Sequence, residues 1–195
     1  MYLIVGLGNP GIRFENTFHN SGFEAIDEAA DIFELSFSKK AAKALIAEGF
    51  YRREKVILAK PQTYMNLSGD SVRELVNFYK IPLENILIMY DDYDLPLGAL
   101  RIRAKGSAGT HNGMRDIVEK LGTTEFARAR IGIKPKQEIM GIMDYVLSER
   151  GREARELMEP ALEGAAKAAE AFVRGESFDE ICRLFSRNVS CGKDD

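Results

Sequence analysis

Short apolar runs alternate with segments of helical period along most of this chain, and that alternation leaves few folds open. Residues 2–7 form an apolar run followed by glycine, and residues 85–90 form another. Both have the length and bounds of buried strands. Residues 44–50 and 55–59 flank the charged turn Arg52-Arg53-Glu54 and read as a hairpin. Residues 99–104 alternate as Leu-Arg-Ile-Arg, and residues 126–133 form a strand carrying Arg128 and Arg130 on one face. Between these runs lie helical periods. Phe23, Ile26, Ala29, Ala30 and Phe33 mark residues 20–33; Val72, Leu75, Val76 and Tyr79 mark residues 68–79, with Ser68 or Asn66 near the N-cap. Residues 112–121, 149–174 (kinked or restarted at Pro160) and 177–185 complete the set. Helices between buried strands predict an α/β fold, a three-layer sandwich with a mixed central sheet flanked by helices. At 195 residues one core suffices. Residues 1–190 are expected to form a single domain, with 191–195 as a frayed tail.

Composition excludes several classes. No apolar run approaches the length of a membrane span. The N-terminus lacks the basic and long apolar regions of a secretory signal. Cys182 and Cys191 match no metal spacing and are expected to be reduced thiols. Net charge is −3, yet nine basic and three acidic residues fall between Leu100 and Lys136, a local +6 that leaves −9 for the remainder. A basic face on an acidic protein is the footprint of a phosphate backbone.

The chain has two histidines, and each is directly followed by asparagine in a glycine-flanked polar segment: His19-Asn20 and His111-Asn112. Histidine titrates near neutrality and is the default general base. Asparagine offers an uncharged donor and acceptor, suited to an amide or a water. Gly6-Leu7-Gly8-Asn9-Pro10-Gly11 satisfies the dinucleotide pattern G-x-G-x-x-G, but Pro10 interrupts it and the acids about 20 residues on fall in the helix period. The glycines are expected instead to turn the backbone sharply and aim Asn9 into a cleft. Asp91, Asp92 and Asp94 follow a strand; any of them is a candidate to orient an imidazole, or simply a turn former.

Taken together, GLGNPG, TFHNSGF, KPQTYMNLSG, YDDYDLPLG, KGSAGTHNG and RARIGI resemble the bacterial-type peptidyl-tRNA hydrolases, in order and spacing, over residues 1 to about 147. The resemblance implies a cytoplasmic, monomeric esterase acting in translation and ribosome rescue, with no metal, no cofactor and no membrane association. Its substrate would be peptidyl-tRNA, cut at the ester joining the peptide to the terminal ribose. By resemblance, His19 is the general base that activates water, Asp91 orients it, and Asn9 senses acylation of the amino acid's nitrogen. Asn66 and Asn112 would bind substrate near the peptide and terminal nucleotide, while Phe14 and Tyr64 would contact the tRNA end. Met65, Gly109 and His111 would support these groups. Arg103, Lys105 and Arg130 would clamp phosphates, placed by the strand face and by nearness to the Gly-rich loop.

An ester is labile enough that a His-activated water needs no covalent nucleophile, and no G-x-S-x-G occurs. The chain departs from the family pattern at Phe18 (usually Arg), Thr110 (usually Gly), Tyr90 (His in several relatives) and in residues 182–188. Two other readings are open: a non-catalytic RNA-binding relative, which would have no use for His19, Asp91 and three asparagines, and a peptidase on a similar scaffold, indifferent to tRNA.

Overall fold

The structure is a computed structural model, described here for residues 1–137 and 139–189. In chain order the elements are β1 (Tyr2–Gly6), α1 (Ser21–Phe33), β2 (Lys39–Ala41), β3 (Ala44–Tyr51), β4 (Glu54–Pro61), α2 (Ser68–Tyr79), β5 (Ile86–Pro96), β6 (Leu100–Arg103), α3 (Asn112–Leu121), β7 (Ala127–Lys134), α4 (Ile142–Val146), α5 (Arg152–Val173) and α6 (Phe178–Phe185). The seven strands form one sheet in the order β2-β3-β4-β1-β5-β7-β6. β1 runs parallel to β4 and β5, and β5 parallel to β7. The β2/β3, β3/β4 and β6/β7 pairs are antiparallel. The mixed sheet expected from the sequence is therefore present.

Side-chain alternation builds the layers. Leu3, Val5, Ile57, Ile86, Ile88 and Tyr90 face one way and pack with Val72 and Leu75 of α2 and Met114 and Ile117 of α3. Ile4, Val56, Leu58, Leu87 and Met89 face the other way and pack with α1, α5 and α6. Strands buried on both faces lose the polar positions of a half-exposed strand, which is why they read as continuous apolar runs.

β1 lies centrally: after it the chain goes out to the β2 edge, returns through β3 to β4 beside β1, and then crosses to β5 on the other side. In open α/β sheets the crevice outside the carboxyl ends at such a reversal is where ligands bind. Here the close fit of α1 to that edge depends on glycine. A Cβ on Gly6 would meet the Gly22 carbonyl oxygen at 2.1 Å, and one on Gly22 would meet that of Met89 at 2.4 Å. Neither Gly6 nor Gly8 has positive φ. Gly6 and Gly8 provide close approach, while Gly11, at φ 110°, provides the backbone turn expected from the sequence.

Four further differences from the sequence reading have physical causes. β5 continues through Asp91 and Asp92 to Pro96, with Asp91 paired opposite Ile131; the carboxylates find partners inside the fold and do not form a turn. α5 runs unbroken with Pro160 inside it, and it begins at Arg152 rather than residue 149. The segment between β7 and α5, to which the sequence reading assigns no element, contains α4, whose Tyr145 stacks on Phe18 with ring centroids 4.3 Å apart and donates to the Ile133 carbonyl at 2.8 Å. Cys182 is disulfide-bonded rather than a reduced thiol; Cys191 and the tail assigned to residues 191–195 lie outside the described residues.

Candidate active site

Asp91 sits at the middle of the site, 2 % exposed. Strand alternation turns Asp91 toward the α1 side and Asp92 toward the α3 side, where Asp92 pairs with Arg130. His19 lies in a single 3-10 turn, residues 18–20, that leads directly into α1. The loop before it is pinned from the far end of the chain: the Arg150 backbone N–H and its Nε both donate to the Asn16 carbonyl, at 2.9 and 3.0 Å. Its guanidinium also pairs with Glu24 of α1.

So placed, His19 Nδ1 lies 3.0 and 2.9 Å from the two oxygens of Asp91. Burial disfavours the His19 imidazolium, but the Asp91 charge and hydrogen bond outweigh it and raise the His19 pKa above its ordinary value. Burial likewise opposes ionisation of Asp91, and the two neighbouring imidazoles outweigh it, holding the carboxyl well below the usual range. Both shifts favour the paired ionic form. Asp91 also accepts from His111 Nε2 at 3.2 Å. Ligand-type atoms of His19, Asp91 and His111 lie within 4.8 Å of one another, a set of types that can hold a metal.

Asn9 is held from three sides. Its backbone N–H donates to Asn20 Oδ1 at 2.8 Å, and Asn20 Nδ2 donates back to the Asn9 carbonyl at 3.0 Å. The Met65 N–H donates to Asn9 Oδ1 at 2.8 Å. That bond fixes which end of the amide is which, so the Nδ2 donor points away from Met65. Among the described residues Nδ2 has no hydrogen-bond partner. Asn20, read from the sequence only as the companion of a histidine, is thus the buried brace of Asn9.

Two hollows flank this point. His19, Asp91, His111, Gly109 and Asn112 line the first, with Ile142, Met143 and Val146 of α4 as its apolar wall. Asn9, Asn16, Asn20, Lys60 and Gln62 line the second. Asn112 is exposed at the first position of α3. Asn66 is exposed on the turn before α2 and lines neither hollow. Phe14 and Tyr64 come together edge to face, centroids 6.2 Å apart, with Tyr64 53 % exposed. Met65 is buried, and its sulfur would lie 2.7 Å from any Cβ placed on Gly113.

The basic strip is less open than the sequence implies. Arg128 does share the Arg130 face, but that face is interior: Arg128 is 1 % exposed and donates to the carbonyls of Ser107, Thr124 and Phe126. Arg130 spends its charge on Asp92. Arg103 donates to the Ile102 carbonyl. Lys105 is 57 % exposed, with Glu125 at 3.4 Å.

A His–Asp pair at the carboxyl edge of a mixed α/β sheet, with open amides nearby, is the chemistry of a hydrolase with a histidine base. Comparison with known proteins narrows the class. The peptidyl-tRNA hydrolase family model matches residues 3–191. The peptidyl-tRNA hydrolase of Lachnoclostridium phytofermentans is 50 % identical over 174 residues, covering 89 % of this chain and 91 % of that protein. That of Bacillus cytotoxicus is 49 % identical over 186 residues, covering 95 % and 100 %. The crystal structure of peptidyl-tRNA hydrolase from Acinetobacter baumannii superposes with a TM-score of 0.88 at 33 % identity, covering 95 % of this chain and 94 % of that one. The chain belongs to the peptidyl-tRNA hydrolase family. Among the described residues no helix is long and apolar enough to cross a membrane.

Proposed function

We infer that the protein hydrolyses peptidyl-tRNA, cutting the ester between the peptide and the terminal ribose with a water activated by His19. Family membership supports the reaction; the His19–Asp91 pair is the observation that carries the mechanism. With Nδ1–H donating to Asp91, the basic lone pair of His19 is on Nε2. As the water oxygen attacks the ester carbonyl carbon, Nε2 takes its proton. The bond to the ribose oxygen then breaks, and the proton leaves with that oxygen, giving an intact tRNA and a peptide carboxylic acid that loses its remaining proton to solvent.

Asn9 supplies a physical basis for choosing acylated substrates. Its acceptor is occupied by Met65 N–H, and what remains is a donor. A donor binds the carbonyl of an N-acyl group and has nothing to offer the free ammonium of an aminoacyl-tRNA. The exposed amides of Asn66 and Asn112 can hold peptide and terminal nucleotide without regard to sequence. The exposed Tyr64 ring beside Phe14 gives an unpaired base a stacking face. Of the three basic candidates, Lys105 is the most open to phosphate, and Arg130 acts chiefly on Asp92. The family resemblance supports a cytoplasmic, monomeric enzyme. A non-catalytic RNA-binding role has no observation in its favour.

The test is hydrolysis of an N-acetyl-aminoacyl-tRNA alongside the same tRNA with a free amine. Wild type should release peptide from the first and spare the second. No release from the first refutes the function, and equal release from both refutes the role of Asn9.

A further inference from the structure

His111 is the one member of the central trio that the hydrolytic scheme leaves without work. It is the N-cap residue of α3, and its Nδ1 accepts a hydrogen bond from the Met114 N–H at 3.1 Å. An imidazole nitrogen that accepts carries no proton, so the neutral ring must have its proton on Nε2. Nε2 is the atom that lies 3.2 Å from Asp91 Oδ1. The start of a helix therefore sets the tautomer of a histidine 3.2 Å from the central carboxylate. His19 is set the opposite way, with Nδ1–H on the same carboxylate.

We propose that His111 is a positioning residue: α3 locks it as the Nε2–H tautomer, and it acts through Asp91 by donating to the carboxylate that holds His19. The proposal rests on the reading of His19 as base. A carboxylate that shares its charge with a second donor draws less on the His19 proton, which leaves Nε2 of His19 free as a base closer to neutrality. The same lock opposes metal binding by the trio. A metal on Nε2 would need the proton moved to Nδ1, where it would face the Met114 N–H.

The surrounding charged groups are otherwise engaged or lack a bond to the trio. Asp92 of β5 is tied to Arg130 of β7. Arg115 of α3 donates to the Gly109 carbonyl at 3.0 Å. Tyr90 lies with its ring 4.9 Å from that of His111, Tyr93 packs on Tyr145, and the Asp94 carboxylate faces Gly109. None of their side chains makes a hydrogen bond to the His19 or His111 ring or to the Asp91 carboxylate among the described residues.

Two substitutions separate the ring's two bonds. His111→Asn keeps a good N-cap acceptor but is too short to reach Asp91. His111→Gln places an amide donor near the former Nε2 and forfeits the cap. In pH profiles of kcat/KM on N-acetyl-aminoacyl-tRNA, the acid limb of His111→Asn should move up by about 0.5–1 unit, the worth of one hydrogen bond to the carboxylate. Its Tm should stay near wild type. His111→Gln should keep the wild-type limb and lose Tm. A wild-type limb in His111→Asn overturns the proposal and leaves His111 as a helix cap only. Because the chain has only two histidines, 15N spectra of the imidazoles above the acid limb give an independent check. One ring should be the Nε2–H tautomer and should vanish from the spectrum in His111→Asn; Nδ1–H for that ring overturns the proposal. Nε2–H for the His19 ring would instead refute the base assignment.

Discussion

In the His19-Asn20 pair the histidine lines the hollow where chemistry is assigned, and the asparagine is buried as a brace for Asn9. In the His111-Asn112 pair the histidine is the brace, and the asparagine stands exposed at the head of α3. The sequences of the two pairs are alike, and their roles are inverted by what precedes each helix. His19 lies one turn before α1 and keeps Nδ1 for a carboxylate. His111 sits on the helix end itself, and the helix claims its Nδ1. A histidine's place relative to a helix N-terminus decides which nitrogen it can spare.

The comparison breaks most visibly at the carboxylate. Asp91→Asn replaces an acceptor with an amide that can donate to His19 Nδ1, which moves the imidazole proton to Nε2 and abolishes the base. Turnover should fall by about 10²–10⁴-fold with little change in KM. A rise in KM with kcat intact would make Asp91 a substrate ligand and dissolve the distinction between the pairs.

Asn20→Ala tests the inverted role of the first asparagine. It leaves a buried N–H and C=O of Asn9 without partners, a loss of about 1–3 kcal/mol in stability. If the brace aims Asn9, selectivity for acylated over free aminoacyl-tRNA should drop by about tenfold. Loss of Tm with unchanged selectivity would reduce Asn20 to a structural residue. The smallest effect is expected at Lys105. Its replacement by Ala should raise KM about two- to threefold at moderate salt and lower the salt slope by about one, with kcat unaffected. An unaltered salt slope would remove Lys105 from the phosphate contacts.

Much of this layout is legible in the sequence because it rests on local pattern. Strands buried on both faces and helices of 3.6 period announce themselves, and α2, α3 and the β3/β4 hairpin lie within a residue or two of where periodicity puts them. What depends on partners far along the chain is not legible. The residues alone leave Asp91, Asp92 and Asp94 open as imidazole orienters or turn formers, and only the family resemblance singles out Asp91. Local statistics cannot know of His19, 72 residues from Asp91, or Arg130, 38 residues from Asp92. Arg150, which tethers the loop leading to His19 across 134 residues, carries no local signal of that contact. Arg128 counted toward a basic surface although its guanidinium is spent on three backbone carbonyls. Phe18, a departure from the family's usual arginine, makes sense only with Tyr145 stacked on it.

The most direct measurement is the pH dependence of single-turnover hydrolysis of N-acetyl-aminoacyl-tRNA, wild type beside His19→Ala. The Asp91 pairing raises the His19 pKa, so the imidazolium persists to higher pH than in a free histidine and the base is lost as pH falls through that value. Wild type should therefore show one acid limb of unit slope, centred above the ordinary imidazole value of 6.5. His19→Ala should be at least about 10²-fold slower and show no such limb. The same limb surviving in His19→Ala would contradict the assignment of His19 as the base.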